Sequence, residues 1–222
     1  MKYFYGNVIL CLLLSTLLSA CGSEQRADRI VIGDSNTLFA LNELQYQNPY
    51  VVQVSDINGN AVANVSVTIK VTSTAYLTGF YSDATGVWLE QVAQQCVAED
   101  KNNNAILDAG EDVNSSGALE PTNASTVTAH PTLEPTLNTV SNTLVTDEFG
   151  FGYFSLTYPK SEANWSRFNI SASANVSGTE GTASLAGVLP AIAQDLEDIT
   201  VSPPGGVVSA YGLTSNCEIF TP

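Results

Sequence analysis

Charge is scarce in this chain, and positive charge scarcest. Charged residues make up 13% of 222, with seven Lys and Arg against 22 Asp and Glu and a formal net charge of −15. Such a surface repels nucleic acid and anionic lipid and attracts cations, so a nucleic-acid partner is excluded. There is one histidine, His130, which rules out His-pair zinc motifs and leaves any serine–histidine arrangement hanging on a single residue. It stands in the Thr/Pro-rich run STVTAHPTLEPTLN, where Pro131 favours extended backbone, so an exposed loop position is expected. No glycine-rich phosphate loop and no nucleophile elbow occurs, and the acids are concentrated in a metal-like register, the scattered single ones carrying no catalytic signal. The chain is therefore not expected to be an enzyme. Long apolar runs are missing as well. The longest, inside MKYFYGNVILCLLLSTLLSAC, is about a dozen residues, too short for a comfortable membrane span.

What is present is mostly β-forming. In ANVSVTIKVTS, Val65, Val67, Ile69 and Val71 alternate with Ser66, Thr68, Lys70 and Thr72, the mark of a half-buried antiparallel strand. Upstream, YVVQVSDINGNAV ends in Asn58-Gly59, a dipeptide suited to a tight turn, and predicts a hairpin from about Tyr50 to Val71. TDEFGFGYFSLTYP offers a turn at Asp147 to Gly150 and then Phe154, Leu156 and Tyr158 on one face, with Ser155 and Thr157 opposite. NWSRFNISASANVSGTEGTASLAGV sets Phe168, Ile170, Ala172, Ala174 and Val176 in step, turns at Ser177 to Gly181 and returns through Ala183 and Leu185. With weaker runs at 30–32 and 142–145, roughly seven short strands result, the spacing of a β-sandwich. One segment dissents: in VWLEQVAQQCVAE, Trp88, Leu89, Val92 and Cys96 fit one face of a helix. Trp165 is expected in the core or at its rim, and Trp88 is expected to be exposed, where it would suit a sugar platform.

The N-terminal run, with Lys2 ahead and small residues behind, has the layout of a secretory signal over residues 1–20. LLSAC, Leu17 to Cys21, resembles the bacterial lipoprotein box, which implies a lipid on Cys21 and a tether over 21–28. Gly22 in place of the Asp that retains such proteins at the inner membrane implies the outer membrane. An ordinary signal with a cysteine nearby is the alternative. Cleavage leaves residues 21–222 with six basic side chains and a formal charge of −16. Cys11 would be discarded and Cys21 lipidated, which leaves Cys96 and Cys217. In an oxidising compartment this remainder reads as one disulfide, the alternative being two buried thiols.

VVQVSDINGNAVANVSVTIKV, then VTDEFGFGYFSLTYP, then FNISASANVSGTEGTASL resembles the bacterial immunoglobulin-like domains of the invasin and intimin type, over about 80 residues. The resemblance departs at Phe151 to Tyr153, where small residues are usual, and in its long central interruption. It implies an all-β, immunoglobulin-like antiparallel sandwich over 29–189, interrupted at about 97–140, with a C-terminal tail over 190–222 tied back by the disulfide. No particular binding activity follows from it.

The interruption holds EDKNNNAILDAGEDVNSSGALEP. Counted from Asp100, oxygen-bearing side chains fall at Asp100, Asn102, Asn104, Asp108 and Glu111, with the Ile106 carbonyl at the seventh place, the register of a twelve-residue calcium loop. Calcium takes six to eight oxygens, which alternate residues of a tight turn supply. Ala105 occupies the sixth place, normally Gly, and must take left-handed geometry or use another turn. A second register follows through Asp112, Asn114, Ser116, the Ala118 carbonyl and Glu120, with Gly117 sixth and Asn123 a poor twelfth residue. This repeat resembles calcium loops of dockerins and thrombospondin type-3 repeats; a merely solvated acidic turn is the alternative. The expectation is thus a non-catalytic, calcium-stabilised, lipid-anchored outer-membrane module that mediates adhesion or protein interaction at the cell envelope. A carbohydrate-binding or glycan-processing surface lipoprotein and a structural subunit of an envelope appendage or assembly are the rival readings.

Overall fold

A computed structural model describes residues 29–121, 124–176 and 179–219; the expected signal over 1–20, Cys21, the expected tether over 21–28 and Asn123 lie outside them. Among the described residues, ten strands form two antiparallel sheets that pack together as an all-β sandwich. The first sheet holds β1 (Arg29–Asp34), β2 (Phe39–Ala40), β3 (Gln45–Ser55), β6 (Thr126–Thr128) and β8 (Phe151–Pro159). Its order is β1-β3-β8-β6, with β2 beside β3. The second holds β4 (Ser66–Ala84), β5 (Val87–Val97), β7 (Thr143–Val145), β9 (Ser166–Val176) and β10 (Thr179–Val188), in the order β10-β9-β4-β5, with β7 also beside β4.

The period-two pattern sets the main core. Val67 and Ile69 of β4, Ile170 and Ala172 of β9, Val52 and Val54 of β3, and Phe154 and Leu156 of β8 are all buried between the sheets. Ser155 and Thr157, on the opposite face of β8, are buried too. The central interruption returns along that edge, pairing β6 with β8 and placing the Thr128 and Thr157 hydroxyls 2.9 Å apart.

Two expectations fail here. The predicted hairpin does not pair its two halves: β3 and β4 lie in different sheets. Asn58-Gly59 does turn, with Gly59 at φ 86° and the Asp56 N–H donating to the Asn60 carbonyl at 2.9 Å. The chain then crosses between sheets through buried Val62 and Val65, held by Thr146, whose hydroxyl donates to the Val62 carbonyl and accepts the Val65 N–H. Paired side by side, the two valine-rich faces would not meet across a core. The predicted helix at Val87–Val97 is strand β5. The upper half of the 19-residue β4 offers a free edge, and pairing along it overrides the local helical stripe.

That upper half carries a second core of Tyr76, Leu77, Tyr81, Cys96, Trp165 and Tyr211. The C-terminal tail builds it rather than merely being tied back. Val207–Gly212 runs along β4, with the Gly79 N–H on the Gly212 carbonyl (2.9 Å) and the Tyr81 N–H on the Val207 carbonyl (2.7 Å). Trp165 is buried edge-on to Tyr81, a core position. Trp88 is half-buried rather than exposed, because its indole N–H donates to the Val201 carbonyl at 2.8 Å. Cys96 and Cys217 form a disulfide with 5.5 Å between Cα atoms, joining the end of β5 to the end of the tail.

Beneath the tail, the carboxylate of Glu162 accepts hydrogen bonds from the hydroxyls of Ser166 and Tyr211. Burial pushes its pKa above the ordinary 4.5, outweighing those two donors. A raised carboxyl binds more protons in the folded state, so its contribution is complete below pH 4.5 and is lost as pH rises through the folded value. Glu162→Gln should therefore melt higher than the parent at pH 8 and approach it at about pH 4. Melts at both pH values check this; an unchanged gap would remove Glu162 as the cause.

Candidate functional site

The interruption leaves β5 at Val97 and reaches β6 at Thr126, so its two loops bridge the edges of the two sheets. Both loops fold by the same local rule. In the first, the Asp100 carboxylate accepts the N–H groups of Asn104 (3.1 Å) and Ala105 (2.8 Å). Asn102 Oδ1 also accepts the Asn104 N–H, and Asn104 Oδ1 accepts the Ile106 N–H at 2.7 Å. Twelve residues on, Asp112 accepts the N–H groups of Ser116 and Gly117, Asn114 Oδ1 accepts that of Ser116, and Ser116 Oγ accepts that of Ala118 at 3.2 Å. Short polar side chains at alternate positions thus turn inward to satisfy their own backbone. The fourth and sixth positions are left-handed in both loops: Asn103 at φ 56° and Ala105 at 60°, Ser115 at 62° and Gly117 at 81°. Ala105 takes the strained option rather than another turn.

Glu111 closes the first loop, its two oxygens each accepting an N–H at 3.0 Å, from Lys101 and from Asp108. The corresponding amides of the second loop belong to Val113 and Glu120. Both are taken by Glu99, at 3.0 and 3.1 Å. Glu99 is thus to the second loop what Glu111 is to the first, from just before the first loop begins. The sequence reading missed it by looking for the closing residue downstream, at Asn123. The signal was there: Glu99-Asp100 and Glu111-Asp112 repeat at a twelve-residue step.

Three of these carboxylates are buried, Glu99 at 1%, Glu111 at 4% and Glu120 at 8% exposure. Burial raises the Glu99 pKa, the Val113 N–H opposes this and the nearby Glu120 charge adds to it. The Glu120 carboxylate accepts from the Asn114 amide, which also reaches the Tyr76 hydroxyl at 3.5 Å. Lys101 is the one Lys or Arg between residues 97 and 140, and its ammonium donates to the Gly110 carbonyl at 2.7 Å rather than to a carboxylate.

The donor set is oxygen throughout, carboxylate, amide, hydroxyl and carbonyl, which in kind fits a hard cation such as calcium. Among the described residues, however, no three His, Cys, Asp or Glu side chains are grouped so as to hold a metal ion. In the first loop the Asn102 and Asn104 amides both donate to Asp108 Oδ2, at 2.8 and 2.9 Å. Two partial positive charges therefore face the carboxylate on which a cation would also act.

His130 is half-buried rather than exposed. Its Nδ1 accepts the N–H groups of Thr132 (3.2 Å) and Leu133 (2.9 Å), its ring meets Tyr153 edge-on, and burial lowers its pKa. A ring nitrogen already holding a turn together is a structural group, not a free base. Compared with family models, with curated proteins and with solved structures, the chain matches none.

Proposed function

We propose that the chain is a non-catalytic, calcium-stabilised binding module, held outside the cytoplasm by a lipid on Cys21 and mediating adhesion or protein interaction at the cell envelope. Its sandwich is of the immunoglobulin-like, invasin and intimin type, and the outer membrane is its destination. One observation carries the reading: two loops of identical backbone logic, each closed by a buried carboxylate from the other's flank, gather six acids over residues 99–120 with a single cation among them. Three of those acids are buried, and buried negative charge destabilises a fold unless something neutralises it. A divalent cation on Asp100, Asn102, Asn104, the Ile106 carbonyl, Asp108 and Glu111 would do so. Asp112, Asn114, Ser116, the Ala118 carbonyl and Glu120 offer the second set, and Glu99 joins them as its closing carboxylate. The disulfide supports an oxidising compartment.

Loops without full flanking helices fit an affinity on the order of 10⁻⁴–10⁻³ M. At about ten times that concentration, one site adds about 1.4 kcal/mol, or about 3–6 °C in a domain of this size. Melting in calcium and in chelator reads this directly, and superimposed curves would remove calcium from the reading.

A further inference from the structure

We infer that the outer edge of β5 is a docking strand for an extended, lysine- or arginine-bearing segment of another protein, which would add to the second sheet as a further antiparallel or parallel strand. The inference rests on the reading of the chain as a protein-binding module and gives that module a surface and a partner chemistry.

β5 ends its sheet: it pairs with β4, and among the described residues no strand lies beyond it. Its backbone direction can be read residue by residue. The Leu89 carbonyl faces β4, where the Ser82 hydroxyl reaches it at 3.5 Å. The Gln91 carbonyl faces β4 as well, so closely that a Cβ on Gly79 would stand 2.1 Å from it. Strand geometry then turns the N–H and C=O groups of Trp88, Glu90 and Val92 outward. The register slips at Ala93, between Thr78↔Gln94 and Gly79↔Val92, and beyond it the disulfide anchors the tail at Cys96. The open stretch is therefore Val87–Val92.

Proteins blunt such edges with lysine, proline or very short strands. VWLEQV has no Lys, no Pro and one charge, and it presents Leu89 and Val92 at 46% and 49% exposure. These are the features of strand addition, in which main-chain bonds give affinity and alternate side chains give specificity.

Charge selects the occupant. Glu90 lies in the open stretch, Asp83 stands opposite Trp88, and the chain that carries Glu197 and Asp198 runs beside Trp88 on its way to Val201. The cation that acts on Glu90 among the described residues is Arg167, on the opposite side of β4 in the neighbouring β9. A second copy of this chain would bring Glu90 and its acidic surroundings against themselves. A basic segment meets complementary charge.

The test uses two labelled synthetic peptides, one alternating valine and lysine, the other valine and glutamate, titrated by fluorescence anisotropy into the disulfide-intact protein at low salt. The lysine peptide should bind at least tenfold tighter than the glutamate peptide. Val92→Pro removes an outward N–H without touching the bonds to β4 and should weaken binding at least tenfold. Should that variant fold poorly, Glu90→Gln with Glu197→Gln should narrow the preference between the peptides severalfold. Equal binding of both peptides, no binding of either, or full binding by Val92→Pro overturns the proposal. So does a concentration-dependent dimer in sedimentation that Val92→Pro abolishes, since a second copy would then occupy the edge. Calcium melts on the same preparation keep the two ideas apart: peptide binding without a calcium shift sinks only the metal, and the converse sinks only the strand.

Discussion

Replacing Cys96 and Cys217 together by serine is expected to destabilise the protein by up to about 5 kcal/mol, the chain-entropy figure for a loop closed across 121 residues. In a domain of this size that is on the order of 10 °C or more in Tm. The loss should not be uniform. Cys96 is buried against Tyr76, Trp165 and Tyr211, so the second core loosens first, and with it the tail pairing at Gly79 and Tyr81. The interior of the sandwich around Ile69, Leu156 and Ile170 keeps its contacts. Urea unfolding gives the magnitude, and limited proteolysis gives the place, which should be the tail over 190–219. Unchanged resistance in the double variant would mean that Tyr211, Ser209 and the strand-like hydrogen bonds hold the tail without the bridge.

Glu99→Ala is the second large effect. It removes the acceptor of two N–H groups, those of Val113 and Glu120, in surroundings with 1% exposure at Glu99 itself. An unsatisfied buried donor costs about 1–3 kcal/mol, so about 2–6 kcal/mol is expected for the pair. Glu111→Ala strips the other loop, at Lys101 and Asp108. The two variants should be complementary in hydrogen exchange. Glu99→Ala exposes the Val113 and Glu120 amides and leaves Lys101 and Asp108 protected; Glu111→Ala does the reverse. If each variant releases all four amides together, the crossed arrangement is not what organises the loops, and they fold as one unit.

The sandwich was legible because alternation is a local signal: Val67, Ile69, Phe168, Ile170, Phe154 and Leu156 stand where a period of two places them. The disulfide followed from the cysteine count. What failed needed non-local information. Trp88, Leu89, Val92 and Cys96 satisfy a helical stripe as well as a strand, and only the neighbouring length of β4 decides between them. Asn58-Gly59 marks a turn, but whether the flanking strands pair or part depends on which sheet has room for each. Glu99 is marked by the Glu-Asp repeat and is missed for a different reason. A single loop register ends at its own twelfth residue, and nothing in that template says that a neighbour can lend the closing side chain backwards.

Because β4 is one unbroken strand, the two cores share a beam. Its first half, from Ser66, belongs to the sandwich, and its second half, to Ala84, carries the aromatic cluster beneath the tail. The halves meet where both pairings slip, after Ser73 against β9 and after Thr78 against β5, so the strand bends at the join between the two cores. A tug on an edge-bound guest at β5 would reach the sandwich only through that bent join, which sets how much of the pull the interior feels.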